Sequence, residues 1–338
     1  AVGCEDRDPM ELEIGRATIE PVVFDDDYHP DVYFQPFFET NPYTLTVDSV
    51  HAWDGLAENG ARSLRINVAP QGSSLGLFSG GVLTSGGKRD LANYNALTFY
   101  ARADANISID TMGFGNDNTG TSLNEAGRGS IPVTNEWQFV VVPIPAPWKL
   151  LGERGMLTFA EGIEGAYPDG YNIWIDEVRY AQVDGIEPFR LSMSSISREY
   201  FIGSTVIPEG TRTVFQYEGS FIPVSHFPNY FDFTSSDPSV AQVDGGNQIR
   251  IVGEGPARVT AKLGDEDVLG TIAVTGLPRP QIPADPPTID ASRVISMFSD
   301  VYQDVPVDTW RAPWTPGPVT LEEYAINGDN TKLYSALS

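Results

Sequence analysis

Apolar and polar residues alternate with a period of two through much of this chain. In Leu97-Thr98-Phe99-Tyr100-Ala101-Arg102, Leu97, Phe99 and Ala101 alternate with Thr98, Tyr100 and Arg102, so one face seeks a core while the other meets water or a ligand. Leu64–Val68, Trp137–Val142 and Tyr171–Val178 carry the same β-branched and aromatic chemistry, and Gly-rich and Asn-rich turns separate them. Helix-like segments are nearly absent, and 33 glycines and 26 prolines punctuate the short runs. The pattern predicts an all-β protein. At 338 residues the chain exceeds what one core usually serves, so two or three tandem β-sandwiches are expected.

Strand candidates run from about residue 17 to 185, and a second pattern fills 190–277. The Pro-rich stretch 278–288 reads as an extended, semi-rigid linker. Beyond it, 289–338 reads as the start of a further β-sandwich, with strands expected at Val294–Tyr302 and Asp329–Tyr334. Those 50 residues are too few to complete a sandwich, so the natural chain is expected to continue past Ser338. Residues 1–16 form a polar N-terminal tether.

The formal charge of −25 opposes a polyanionic partner, which argues against nucleic acid and against an anionic lipid surface. No stretch approaches the roughly 20 apolar residues that span a bilayer. A single cysteine rules out an internal disulfide and a Cys-rich zinc site. The three histidines, His29, His51 and His226, stand far apart, and no nucleophile elbow, zinc-protease pair, P-loop or dinucleotide fingerprint occurs in a fitting context. The 46 acidic residues guarantee chance carboxylate pairs and so say nothing about a glycosidase. The expectation is a binding protein rather than an enzyme.

Four resemblances sharpen this. Cys4, after Ala1-Val2-Gly3 and before Glu5, Asp6 and Asp8, resembles the lipobox of Bacteroidota lipoproteins with its acidic export signal. That resemblance implies acylation of Cys4 and exposure on the outer face of the outer membrane, with membrane contact only through the anchor. Tyr94–Arg102, Gly113-Phe114-Gly115-Asn116-Asp117, Val142-Pro143-Ile144-Pro145 and Tyr171–Val178 resemble the galactose-binding-like jelly rolls that serve as carbohydrate-binding modules in surface glycan-binding lipoproteins. Phe233–Val243 and Ile249–Ala261 are similar to the bacterial Ig-like domain of group 2, which implies a spacer. Residues 294–302 and 329–334 resemble the opening of laminarinase-associated modules, which implies β-glucan as the polysaccharide. Together these imply a lipid-anchored polysaccharide-capturing accessory of a TonB-dependent uptake system with SusC/SusD-like partners. A structural or adhesive surface scaffold, and the non-catalytic front of a longer glycoside hydrolase, are the competing readings.

Sugar binding needs a stacking aromatic beside groups that match hydroxyls. Tyr100, Arg102 and Gln138 are the expected face residues, with Trp148 on a stiff Pro-flanked loop and Asn116 and Asp117 at a polar rim. Trp137 and Trp174 lie in apolar runs and are expected in the core, while Trp310 and Trp314, flanking Arg311-Ala312-Pro313 in the incomplete third segment, read as a second stacking platform. The jelly-roll resemblance implies a structural calcium ion, for which Asp176 is the carried-over ligand. Asp25 and Asp27 are its expected partners, out of an early acidic set that also holds Asp26 and Glu39. A solvated acidic turn is the competing reading.

Overall fold

The computed structural model describes residues 17–37, 44–49, 62–245, 247–279, 281–282, 285–299, 301–310, 320–326 and 329–335. Cys4 with its acidic neighbours, Glu39, His51 and Trp314 lie outside the described residues. The chain is all-β and folds into tandem β-sandwiches, distributed over two compact units. Among the described residues no helix is long and apolar enough to cross a membrane.

The first unit holds thirteen strands in succession: β1 (Val22–Asp25), β2 (Asp27–Tyr28), β3 (Val32–Pro36), β4 (Leu45–Asp48), β5 (Ser63–Val68), β6 (Phe78–Arg89), β7 (Ala96–Ala103), β8 (Ile107–Phe114), β9 (Ala126–Val133), β10 (Gln138–Pro143), β11 (Glu153–Gly162), β12 (Tyr171–Ala181) and β13 (Glu187–Ser192). The chain then forms β14 (Ile196–Phe201) and β15 (Thr205–Val206) of the second unit, and returns for β16 (Arg212–Tyr217) and β17 (Ser220–His226). The second unit continues with β18 (Asp232–Ser235), β19 (Ala241–Val243), β20 (Ile249–Ile251), β21 (Gly255–Leu263), β22 (Glu266–Asp267), β23 (Ile272–Leu277), β24 (Thr320–Ile326) and β25 (Asp329–Ser335).

Two sheets face each other in the first unit. The seven-stranded one runs β10-β7-β12-β1-β2, with β5 on the opening half of β12 and β4 beyond it. The eight-stranded one runs β13-β16-β17-β9-β8-β11-β6-β3. Period-two alternation sends Leu97, Phe99, Ala101, Ile173, Ile175 and Tyr180 of the first sheet against Leu83, Met112, Phe114, Leu157 and Phe159 of the second, all buried. Phe114 meets Tyr180 edge-on with ring centroids 6.1 Å apart, and the Tyr180 hydroxyl donates to the Met156 carbonyl at 2.9 Å. Gly81 is needed where the Phe34 ring crosses β6, because a Cβ there would lie 2.5 Å from that ring.

A fully buried arginine ties the opening of the chain to this sandwich. Arg89 donates from Nη1 to the carbonyls of Glu20 (3.1 Å) and Val22 (2.6 Å) and from Nη2 to Asp31 Oδ1 (2.5 Å). Burial would raise the Asp31 carboxyl, but the bonds from Arg89 and His29 hold it below its ordinary range.

The structure departs from the sequence reading at the boundary of the second segment. Residues 211–230, read as part of the 190–277 segment, belong to the first unit. Strands β16 and β17 form a hairpin closed by Glu218-Gly219, both at positive φ as a type I′ turn requires. The hairpin extends the eight-stranded sheet through Ser225–Gly127 and His226–Ala126 pairing and buries Phe215, Ile222 and Val224.

In the second unit, a five-stranded sheet, β14-β23-β21-β18 with β22 beside β21, and a three-stranded sheet, β15-β20-β19, bury Val206, Val240, Ile249, Ile251, Val259, Ile272 and Val274. The turn read at Ser236-Asp237-Pro238 is present, with the Asp237 carboxylate accepting from the Ser239 amide (3.0 Å) and hydroxyl (2.6 Å). Strand β25 pairs with β24 over Thr320–Ile326, but Val294–Tyr302 is not a strand. There the Ser299 hydroxyl accepts from the amides of Val301 (3.0 Å) and Tyr302 (3.2 Å), a local bonding that competes with a ladder.

Candidate functional site

The outer face of the seven-stranded sheet gathers aromatic and charged side chains in a row across its strands. Tyr100 and Arg102 on β7 point outward, as alternation requires, opposite to the buried Phe99 and Ala101. Cross-strand pairing then fixes their neighbours: Phe139 of β10 faces Tyr100 on one side, while Asp176 and Trp174 of β12 face Tyr100 and Arg102 on the other. The Phe139 ring is 48% exposed and lies 5.2 Å from the Tyr100 ring, tilted by 53°.

Arg102 is held between two indoles. Its guanidinium carbon lies 5.1 Å from the Trp174 ring and 5.8 Å from the Trp137 ring, and its Nε has no hydrogen-bond partner. Trp174 is oriented in turn by Asp48 of β4, whose Oδ2 accepts from the indole at 3.1 Å and stands 3.7 Å from Arg65 of β5. An arginine fixed by stacking presents its planar guanidinium in a defined orientation, which suits an oxygen-rich neutral ligand.

Asp176 sits at a bulge where β12 exchanges β5 for β1 as its partner, with Glu177 at positive φ. Burial pushes its carboxyl up to about 6, helped by the charges of Asp26, Glu177 and Asp25. Asp25 stands 3.6 Å from Arg179, and Asp27 pairs with Arg62 at 3.0 Å. Among the described residues no three carboxylates gather into a group able to hold a metal ion. The carboxylates whose charge presses on Asp176 are Asp26, Glu177 and Asp25, which include the expected Asp25 but not Asp27.

The other expected residues are dispersed. Gln138 pairs with Ala101, which places it on the inner-facing side of β10, where its amide donates to the Pro132 carbonyl. Trp148 lies in a 3₁₀ turn, Pro147–Lys149, beyond the far end of β10, and is 54% exposed. Asn116 and Asp117 follow β8 in the other sheet. Burial alone would raise the Asp117 carboxyl, but bonds from Thr119 (2.6 Å) and Ser122 (2.9 Å) lower it, so this carboxylate is spent on its own loop. Trp174 is buried, as expected, but it shares the outer side of β12 with Asn172 and Asp176, opposite to Tyr171, Ile173 and Ile175.

A second ionisable feature lies inside the sandwich. Glu161 of β11 accepts from the Tyr171 hydroxyl (2.5 Å) and the Asp110 amide (2.7 Å), yet burial pushes it up to about 7. A raised carboxyl favours the fold while protonated, so this contribution is present at low pH and is lost as pH rises through about 7. Glu161→Gln is therefore expected to melt above the wild type at pH 7.5 and to converge with it near pH 4.5. Thermal unfolding of both across that range checks it, and a gap that does not change with pH would refute the assignment.

In the second unit, a shallow groove of about 540 Å³ crosses the five-stranded sheet over Ala273, Thr275 and Pro256, with Glu199 and Arg258 along it. Its lining carries no aromatic ring, so it offers no stacking surface for a pyranose.

No family model matches the sequence, and no curated protein matches it. Among solved structures the chain is similar to the family 30 carbohydrate-binding module of a cellulosomal cellulase of Clostridium thermocellum, at 20% identity and a TM-score of 0.33, covering 50% of this chain and 96% of that one. It is also similar to the family 11 carbohydrate-binding module from Clostridium thermocellum in complex with a β-1,3-1,4-mixed-linked tetrasaccharide, at 8% identity and a TM-score of 0.33, covering 49% and 98%. A β-1,2-glucanase from Parabacteroides distasonis matches at 11% identity and a TM-score of 0.29, over 78% of this chain and 39% of that one.

Proposed function

We propose that this chain is a non-catalytic glycan-binding protein and that polysaccharide lies on the outer face of the seven-stranded sheet. The observation that carries the reading is the pair of the exposed Phe139 and half-buried Tyr100 rings beside an arginine fixed between Trp137 and Trp174. A pyranose presents apolar C–H faces and equatorial hydroxyls. The rings would take the former, while Arg102 donates to, and Asp176 accepts from, the latter. The sequence resemblance of Tyr94–Arg102 and Tyr171–Val178 to carbohydrate-binding jelly rolls supports the same face, since both runs build it.

The reading extends to a lipid tether at Cys4, a place on the outer face of an outer membrane, and delivery of polysaccharide, with β-glucan preferred, to SusC/SusD-like transport components. It rests there on the sequence resemblances alone. A calcium ion at Asp176 rests likewise on the jelly-roll resemblance alone, since the described carboxylates form no ready-made metal group. Calcium is then expected to raise the melting temperature at pH 7.5 and EDTA to lower it, with no calcium response in Asp176→Asn.

The test of binding is affinity electrophoresis of the full chain through gels containing barley mixed-linkage β-glucan, laminarin or hydroxyethyl cellulose. Retardation by one polymer is expected, with affinity falling about tenfold or more in Phe139→Ala and in Arg102→Gln, as for central anchors of other interfaces. Unchanged retardation in both variants would remove the site from this face, and migration unaffected by any polymer would remove the function.

A further inference from the structure

The hairpin that extends the eight-stranded sheet presents aromatic rings to solvent at a place remote in topology from the face described above. Phe221 of β17 is 55% exposed and Phe189 of β13 is 61% exposed, yet their ring centroids are only 4.6 Å apart, at 46°. Their strands are both partners of β16, so they stand two strand spacings apart, roughly 10 Å. The rings therefore lean toward each other across β16 instead of standing over their own strands.

A bulge produces this arrangement. Pro188 pairs with Phe215 and Arg190 with Val214, leaving Phe189 as the extra residue, and an extra residue re-aims its side chain. Alternation assigns the rest of the face: Phe215, Ile222 and Val224 turn inward and are buried, while Gln216, Phe221 and Pro223 turn outward and are exposed. Gln216 pairs with both Phe221 and Glu187, so an amide and a carboxylate border the rings on one side, and Arg190 borders them on the other.

Two adjoining solvent-facing rings offer a small apolar contact surface, and the company they keep indicates the class of ligand that fits it. The core of a protein-docking patch is contiguous and depleted of charge. Here Glu187, Arg190 and Gln216, all exposed, lie within two positions of Phe189 along β13 or directly across from Phe221. That mixture, a ring pair with a donor, an acceptor and an amide at its edge, matches the apolar face and hydroxyl rim of a pyranose. We infer that Phe189 and Phe221, bordered by Glu187, Arg190 and Gln216, form a second contact site for neutral sugar residues of a polysaccharide. This rests on the reading of the chain as a glycan-binding protein and adds a site to it. Two weak sites on one chain raise the retention of a polymer beyond that of a short oligosaccharide, which reaches one site at a time.

The experiment uses the full chain with Phe189→Ala/Phe221→Ala, with Tyr100→Ala/Phe139→Ala, and with all four substitutions, in gels containing barley β-glucan and in titrations with a mixed-linkage tetrasaccharide. All four positions are exposed or half-buried, and circular dichroism confirms folding. The expected result is that Phe189→Ala/Phe221→Ala lowers polymer affinity about tenfold, and that the fourfold variant loses more than either pair. Polymer affinity unchanged by Phe189→Ala/Phe221→Ala while Tyr100→Ala/Phe139→Ala abolishes it would overturn the second site and leave the first. Retention abolished only by Phe189→Ala/Phe221→Ala would support the second site and overturn the first. Wild-type self-association in sedimentation velocity that Phe189→Ala/Phe221→Ala dissolves, with polymer affinity intact, would assign the rings to a second copy of the chain and overturn the proposal.

Discussion

Arg89→Ala is expected to destabilise the first unit by about 3–5 kcal/mol, the range for removing one member of a buried charged pair. Arg89 is fully buried and serves three acceptors, the carbonyls of Glu20 and Val22 and the Asp31 carboxylate. Without it the two carbonyls and the carboxylate lose their donor, and the space of a large side chain stands empty. Arg89→Lys should recover only part of the loss, because one ammonium does not reproduce a planar fork aimed at three oxygens. Denaturant unfolding of the full chain checks this, and a loss below about 1 kcal/mol would show that water serves these acceptors equally well.

Replacing residues 211–230 by a short Gly-Ser loop is expected to be more damaging still. The hairpin buries Phe215, Ile222 and Val224, and a fully buried side chain of this kind contributes roughly 1.5–3 kcal/mol. The sum, on the order of 5–9 kcal/mol, rivals the whole stability of an ordinary domain. Removal also takes away the β17 partners of Ala126 and Gly127, which opens the start of β9 to pairing between chains. The variant should aggregate, or unfold at far lower denaturant than the parent. A soluble variant with near-native melting of the first unit would mean that the hairpin is an appendage.

Period-two alternation made the strands legible, and in β7 and β12 it also made the faces legible. The pattern fails at two kinds of place. The first is the identity of a strand's partner: Arg212–His226 reads as a hairpin of any sheet, and nothing local to it says that Ser225 will pair with Gly127. The second is the bulge, where one extra residue breaks the parity on which face assignment depends. Asp176-Glu177 and Phe189 are both such positions, and each lies at a candidate contact. Trp174 and Gln138 are different, because their parity was correct in the sequence. Side-chain character outweighed it there: an indole in an apolar run reads as core and an amide reads as surface. Cross-strand register sets Gln138 beside the inward-facing Ala101 and Trp174, though buried, beside the outward-facing Arg102.

The path of the chain also orders events in time. Ser225 pairs with Gly127, so the eight-stranded sheet joins segments 98 residues apart, and β14 and β15 of the other unit are made in between. At a synthesis rate of about 5–20 residues per second, that interval lasts roughly 5–20 s. Throughout it Ala126 and Gly127, at the start of β9, wait for their partners, so the first unit is not finished before the second is begun. A nascent chain halted in this window would be the species most in need of a chaperone.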